Sequence, residues 1–252
     1  EHGTYGQIAS VVDLQLTYAG TLATGSYISL VDSTLNTNAP CADGAVAAAT
    51  AGTTQSGSIQ ATGSVASIDT TGLDTSKEFA VCYTATGGTA SDTWSDAGIR
   101  LTVSKITTLT YGIPVRTMTS TNTAAAINRL PQVADMVITY TGDLGTDKWV
   151  SLVDSTLNSN NPCVDGTVAA AAADTTHSGA QQASTRAVTV PQAAGELLDE
   201  SKTYAVCYAE TDGTTTDSTW ADSYVRLIPS QVTTLDVYAY AFDTYLQLGK
   251  VN

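Results

Sequence analysis

The sequence predicts an all-β protein that consists of two tandem β-sandwich domains arising from an internal duplication, and three observations support this fold class. The segment SLVDSTLNTNAPCADG (residues 29–44) recurs as SLVDSTLNSNNPCVDG (residues 151–166), 122 positions further along the chain. Apolar and polar residues alternate with the period of a half-buried strand, as in LQLTY at residues 14–18. Turn-forming residues recur roughly every 8 to 12 positions, which is the spacing of a sandwich, and no amphipathic helical pattern separates them.

The repeat extends well beyond the segment that defines it. FAVCYTATGG (residues 79–88) matches YAVCYAETDG (residues 204–213) with a displacement of 125. DTWSDAGIRL (residues 92–101) matches STWADSYVRL (residues 218–227) with a displacement of 126. The drift from 122 to 126 indicates small insertions in loops, where they are tolerated, and a period of this length indicates a duplicated domain rather than a solenoid.

The predicted domain boundary follows from the strands that end each copy. ITTL at the start of residues 106–111 matches VTTL at residues 232–235, and we assign both as closing strands of their own modules. This gives module 1 as residues 1–114 with an N-terminal extension, and module 2 as residues 115–252 with a C-terminal aromatic strand. Each module is long enough to bury its own core.

The charge balance excludes several classes of partner. The chain has 10 Lys plus Arg against 24 Asp plus Glu, a formal net charge of −14 at pH 7. Nucleic acids and anionic membrane surfaces both require a cationic footprint, so we expect neither as a partner. No apolar run approaches the roughly 18 residues of a transmembrane helix, so we expect no membrane insertion.

Four cysteines occupy equivalent positions in the two modules: Cys41, Cys82, Cys163 and Cys207. The duplication predicts one disulfide within each module, Cys41–Cys82 and Cys163–Cys207. A zinc site would need Cys-x-x-Cys or histidine spacing that the sequence lacks, and free thiols are the remaining alternative. Symmetrically placed disulfides indicate an extracellular or cell-surface protein.

The strongest resemblance lies in the strand that carries the second cysteine. Leu73 followed by Phe79-x-Val81-x-Tyr83 resembles the penultimate strand of immunoglobulin-like and fibronectin-like modules of secreted surface proteins, and residues 198–208 repeat the pattern. The resemblance implies an immunoglobulin-like sandwich with the first aromatic packed at a corner. Cys82 departs from the antibody pattern, because it alternates with Val81 and faces away from the core. We therefore expect the disulfides to fix the asparagine-rich loop onto the outer face of the sheet.

Residues that could carry catalysis are sparse, and we predict that the protein is not an enzyme and needs no cofactor. His177 has Gln55 as its counterpart, which argues against a conserved catalytic base. No nucleophile elbow, phosphate-binding loop or zinc-protease motif is present. The repeated carboxylates favour turn and capping roles over a paired catalytic site.

Two tryptophans offer an alternative function. Trp94 and Trp220 each precede a strand beside polar residues, and an exposed indole there could stack on a sugar ring. Acidic loops around Asp92 and Asp217 could hold calcium, although no EF-hand spacing is present. The alternative hypothesis is therefore a secreted adhesin or carbohydrate-binding module. Burial of the tryptophans in the sandwich and solvated acidic loops are the competing interpretations.

The two ends of the chain carry the remaining information. The N-terminal segment is short, weakly charged and β-prone, and we predict it to be a donor strand that completes a neighbour's sandwich through Thr4, Tyr5, Gln7, Ile8, Val11 and Val12. The second candidate donor is the aromatic strand at residues 236–248, and pairing of both strands within their own chain is the alternative. In general character the chain resembles the subunits of donor-strand surface fibrils and pili. The predicted function is a structural subunit of an extracellular fibril or coat whose partners are copies of itself, with glycans as a further possible partner.

Overall fold

The structure, a computed structural model, describes residues 6–113, 115–120, 128–192, 197–237 and 240–243, with only the backbone described for 234–237 and 240–243. Regular structure in these residues is mostly β, which confirms the predicted all-β class. The chain divides into two compact units, Glu1–Lys105 (unit 1) and Ile106–Asn252 (unit 2). No helix in the described part of the chain is both long enough and apolar enough to cross a membrane.

Unit 1 contains a larger and a smaller sheet. Its described strands are β1 (Gln7–Ile8), β2 (Leu14–Thr17), β3 (Tyr27–Asp32), β4 (Ile59–Gln60), β5 (Val65–Ile68), β6 (Glu78–Thr84) and β7 (Ser95–Val103). The larger sheet has the order β1-β7-β6-β3-β4, and the smaller sheet pairs β2 with β5. All of these pairings are antiparallel except that of β1 with β7, which is parallel.

Unit 2 contains the same elements with two additional hairpins. Its described strands are β8 (Ile106–Tyr111), β9 (Arg116–Thr119), β10 (Asn128–Leu130), β11 (Met136–Gly142), β12 (Trp149–Asp154), β13 (Gln181–Gln182), β14 (Ala187–Val190), β15 (Tyr204–Ala209), β16 (Ala221–Pro229), β17 (Thr234–Val237) and β18 (Tyr240–Asp243). One sheet has the order β10-β16-β15-β12-β13, a second has the order β14-β11-β8-β9, and β17 pairs with β18.

The central strands explain why the sequence contains short continuous apolar runs. β3 and β12 are buried along almost their whole length. Each has an antiparallel strand on both sides in its sheet. Both faces of these strands are covered, so alternation of apolar with polar residues is lost there. The second face is covered by the loop that carries the first cysteine of each unit.

Strand β15 shows how its two faces are divided. Tyr204, Val206 and Tyr208 belong to the main core of unit 2, whereas Ala205 and Cys207 belong to a smaller cluster with Trp220 on the opposite side. This is the alternation expected for a strand, and it places the cysteine away from the main core.

The structure contains two disulfides, and they join the pairs expected from the repeat. Cys41 is bonded to Cys82 and Cys163 to Cys207, across sequence separations of 41 and 44 residues. The described residues contain no free cysteine. In each unit the bond ties the loop after the first central strand to the outer face of the larger sheet, beside a buried tryptophan.

The loop bonded by the disulfide has an unusual backbone. Asn36, Thr37 and Asn38 have φ angles of 48°, 57° and 62°, and residues 158–160 repeat this left-handed turn. Asparagine tolerates the left-handed region better than most residues, which accounts for the Asn-x-Asn pattern at both sites. The alanine-rich stretch that follows forms the short helices Gly44–Ala47 and Gly166–Ala169.

The division between the units differs from the boundary predicted at residues 114 and 115. The sequence assigns β8 to module 1 as its closing strand, whereas in the structure β8 pairs with β11 and belongs to unit 2. β9, which lies in the predicted linker, is the next strand of the same sheet. The repeat identifies β8 as a strand but contains no information about which sheet receives it.

Candidate assembly site

The hairpin β8–β9 completes one sheet of unit 2. Along β8, Thr110 lies opposite Thr139 of β11, Leu109 opposite Tyr140, and Thr108 opposite Thr141. The ladder is antiparallel and ends at an irregularity between Thr141 and Gly142. The chain segment that follows unit 1 therefore supplies the strand that covers the outer edge of β11.

The hairpin also contributes to the core of unit 2. Ile106, Leu109 and Met118 are fully buried or nearly so and pack in the main cluster of this unit. Burial of three such side chains stabilises the unit by several kcal/mol, since each is worth roughly 1.5–3 kcal/mol. The hairpin is therefore an integral part of unit 2 rather than an accessory to it.

Polar contacts fix the position of the hairpin. Tyr111 donates from its hydroxyl to the carbonyl oxygen of Arg129 at 2.7 Å. Asn128 donates from Nδ2 to the carbonyl oxygens of Thr119 at 3.0 Å and Arg226 at 2.8 Å. Because Asn128 is buried, these hydrogen bonds tie β9 to the larger sheet and also satisfy an amide that would otherwise be costly to bury.

The equivalent edge in unit 1 has no such strand. β2 pairs with β5 as β11 pairs with β14, but among the described residues no strand pairs with the other side of β2. Strand β11 runs over Met136–Gly142, whereas β2 ends at Thr17, and the missing length corresponds to the residues that β8 pairs in unit 2.

The backbone at this edge already has the shape seen in the completed sheet. Gly20 has a φ of 128° and its counterpart Gly142 a φ of 116°. Tyr18 donates its hydroxyl to the carbonyl oxygen of Ala23 at 2.7 Å, and its counterpart Tyr140 makes a similar local bond to Gly145 at 2.6 Å. The edge of β2 is therefore preorganised for a further strand.

Side chains whose counterparts are buried in the core of unit 2 are exposed or partly exposed in unit 1. Leu16 is only partly buried, whereas its counterpart Ile138 is fully buried. Ile99 of β7 is 42% exposed, and its counterpart Val225 of β16 is 0% exposed and forms a β-bridge with Ser120 just after β9. An apolar surface next to an open sheet edge is a typical site of strand addition.

The described part of the predicted N-terminal donor lies in its own unit. Gln7 and Ile8 form β1, which pairs with β7 of the same unit, as β10 pairs with β16 in unit 2. The backbone of Val11 exchanges hydrogen bonds with Thr70, and Val12 is exposed. Thr4 and Tyr5 lie outside the described residues.

The C-terminal aromatic segment was the second candidate donor. Its described part forms the hairpin β17–β18, while Tyr238 and residues 244–248 lie outside the described residues.

The two candidate sugar platforms are buried, which favours the packing interpretation of these tryptophans over the sugar-binding alternative. Trp94 is 6% exposed and Trp220 is 4% exposed, and each packs beside the disulfide of its unit. Each indole Nε1 donates to a loop carbonyl, Thr89 at 3.0 Å and Thr214 at 2.9 Å. Stacking on a sugar needs a free ring face, and these rings are used in packing instead. Trp94 also lines a shallow surface depression together with Asn38 and Asp96.

The acidic loops use their carboxylates for local structure. Asp217 accepts hydrogen bonds from the backbone amides of Asp212 and Gly213, both at 2.8 Å, and from Thr219. Burial opposes ionisation of Asp217, but these hydrogen bonds outweigh it and lower its pKa to about 2. Asp96 and Asp222 pair with Arg100 and Arg226. Among the described residues, no group of three or more His, Cys, Asp or Glu is arranged to hold a metal ion.

His177 occupies a structural position in a loop. It forms a β-bridge with Val153, as its counterpart Gln55 does with Val31. Its Nδ1 lies 2.8 Å from the hydroxyl of Thr176 and 3.1 Å from Asp174 Oδ1. The arrangement orders the loop.

Comparisons of the chain with protein-family models, curated proteins and solved structures found no match. The candidate site therefore depends on the internal repeat, which allows one unit to be compared with the other. Sequence reasoning missed that the outer side of β2 has no paired strand in the part of the chain that the structure describes. The repeat of ITTL as VTTL was the signal that could have indicated it, because a strand that completes one copy has a counterpart after the other.

Proposed function

We propose that the protein is a structural subunit of an extracellular fibril or coat, built from two tandem immunoglobulin-like sandwiches and assembled by strand addition between copies. One observation carries the proposal. The sheet edge of β11 is completed by β8, whereas the corresponding edge of β2 has no partner among the described residues. An open, preorganised edge beside exposed apolar side chains favours association through main-chain hydrogen bonds.

The geometry of the repeat favours a polymer over a closed dimer. A donor at one end of the chain and an acceptor at the other form a heterologous contact, and such contacts produce filaments when the rotation between copies does not close. Each added copy would present a new open edge. Growth would then continue without a second type of subunit.

The chemistry of the chain is consistent with a location outside the cell. The two disulfides indicate an oxidising environment of the extracellular kind. The net charge of −14 provides long-range repulsion between chains, so we expect assembly to be promoted by salt.

The test is the state of the purified chain over a range of protein and salt concentrations. Static light scattering and negative-stain imaging are expected to show filaments whose width is constant and whose length increases with protein concentration. The test variant is Leu16→Lys, which places a charge on β2 at the proposed acceptor edge and leaves the buried edge of unit 2 intact. This variant is expected to form no filaments. A wild-type chain that remains monomeric at all concentrations and salt levels would refute the proposed function.

A further inference from the structure

We infer that the donor is the hairpin β17–β18, and that it docks on the outer edge of β2 in unit 1 of a second copy of this chain. The inference rests on the proposed function and specifies its interface. It also moves the donor from the N-terminal segment, whose described strand pairs within unit 1, to the hairpin that follows unit 2.

The template for this contact is present within the chain itself. The hairpin β8–β9 follows unit 1 and completes the sheet of unit 2 through β11. In the repeat, β17–β18 corresponds to β8–β9 and follows the strands of unit 2. We therefore expect it to pair with a strand equivalent to β11. Among the described strands, β2 has that equivalence and lacks a partner on its outer side.

The two hairpins share one register. In β8–β9, Leu109 lies opposite Met118, and in β17–β18 the equivalent Leu235 lies opposite Phe242. The next pairs outward are Thr108 with Thr119 and Thr234 with Asp243. A large apolar pair thus occupies the same place in both hairpins, which is the place that unit 2 buries.

The residue that leads into each hairpin shows the difference between a docked and an undocked copy. Ile106 is 0% exposed in the core of unit 2, whereas its counterpart Val232 is 60% exposed. Val232 thus lies in solvent at a position that the first hairpin buries, which is the difference expected between an undocked and a docked hairpin.

The observed register of unit 2 gives the expected register between copies. Replacing each residue by its counterpart places Thr17 opposite Asp236, Tyr18 opposite Leu235, and Ala19 opposite Thr234 in an antiparallel ladder. In unit 2 the hydroxyls equivalent to the last pair, Thr108 Oγ1 and Thr141 Oγ1, are 2.5 Å apart. Cysteines at Ala19 and Thr234 are therefore expected to lie within disulfide distance only when the hairpin of one copy occupies the edge of another.

Disulfide cross-linking between two single variants tests this inference. Ala19→Cys and Thr234→Cys are purified separately, mixed under mild oxidation and analysed on non-reducing gels with mass spectrometry of the linked peptide. We expect a covalent dimer from the mixture that exceeds the symmetric dimer of either variant alone by at least about tenfold. The double variant is expected to give a ladder of covalent oligomers.

Two controls make the result specific. Thr108→Cys with Thr141→Cys places the same pair inside unit 2 and is expected to form an intrachain disulfide with no ladder. The pair Ala19→Cys with Leu235→Cys moves the second cysteine by one position along the strand. Successive side chains of a strand alternate between its faces, so this pair is expected to cross-link poorly.

The outcomes separate this inference from the proposed function. Wild-type filaments without the Ala19–Thr234 cross-link would overturn the donor and acceptor assignment and leave the fibril function standing. An intrachain cross-link in the double variant would show that the hairpin folds back on its own chain, and it would overturn the inference as well. Absence of both filaments and cross-link would refute the inference together with the function.

Discussion

The two units of this chain have the same larger sheet, the same disulfide and the same capping carboxylates, and they differ at one sheet edge. In unit 2 the edge of β11 is covered by β8, and Ile138, Tyr140 and Val225 are fully buried. In unit 1 no strand among the described residues pairs with the outer side of β2, and Leu16, Tyr18 and Ile99 retain exposure. The comparison shows that the hairpin β8–β9 completes both a sheet and the main core of unit 2.

The polar contacts of the two edges differ as well. Tyr111 and Asn128 tie β8–β9 to unit 2 by hydrogen bonds, whereas their counterparts are Val237 in the second hairpin and Gly6 at the start of unit 1. Neither replacement can make the corresponding side-chain bond. Contact between copies would therefore rely on the backbone ladder and apolar burial, and we expect it to be more easily reversed than the contact within unit 2.

The largest expected effect comes from Leu109. Leu109→Ala should destabilise unit 2 by about 3 kcal/mol, because a fully buried leucine is replaced and a cavity remains. The equivalent Leu235→Ala should leave the stability of the monomeric chain unchanged and reduce its assembly. Hydrogen exchange followed by mass spectrometry measures the stability of each unit separately. Filament yield measures assembly. Equal destabilisation by both substitutions would contradict the distinction between a docked and an undocked hairpin.

A smaller contrast is expected between Val225 and Ile99. Val225→Ala should lower the free energy of unfolding of unit 2 by about 2 kcal/mol, since the side chain is buried under the hairpin. Ile99→Ala should change unit 1 by less than about 0.5 kcal/mol in dilute monomer, because the isoleucine is substantially exposed. Urea denaturation of each variant, followed by hydrogen exchange in each unit, measures the contrast. A large loss from Ile99→Ala in the monomer would mean that the surface is already covered within the chain.

Much of the fold could be predicted from the sequence because the relevant signals are local. The alternation of apolar and polar residues in LQLTY predicts β2. The symmetric positions of the cysteines predict one disulfide in each repeat. The burial of Trp94 and Trp220 was one of two interpretations that the sequence left open, because a tryptophan before a strand fits either packing or binding. Only the structure shows the disulfide beside each indole.

The candidate site was harder to predict than the fold. The choice between the two ends of the chain as donor depends on which strand already has a partner, and pairing of β1 with β7 is a non-local contact. The same reason explains why the two compact units divide after Lys105, whereas the sequence predicts a boundary at residues 114 and 115. ITTLTY has the pattern of a strand whether it completes the sheet before it or the sheet after it.

The smallest expected effect tests whether the units are alike away from the open edge. Asp32 and Asp154 are buried at the ends of β3 and β12, and they pair with Lys77 and Lys202. Burial opposes ionisation of each carboxyl, but hydrogen bonds from the lysine and from Thr34 or Thr156 outweigh it, so the pKa of each aspartate is lowered from 3.8.

A lowered pKa stabilises the folded chain when the carboxylate is charged. This contribution is fully present above the ordinary aspartate value and is lost as the pH falls through the lowered value. Lys77→Met and Lys202→Met should therefore each destabilise the folded chain at pH 7 by the small amount expected of an ion pair whose lysine is partly exposed. The cost should begin to decrease as the pH falls below 3.8 and should be gone below the lowered pKa of each aspartate. Urea denaturation of both variants between pH 7 and pH 2 measures this, and unequal costs in the two units would show that they differ in more than the edge of β2.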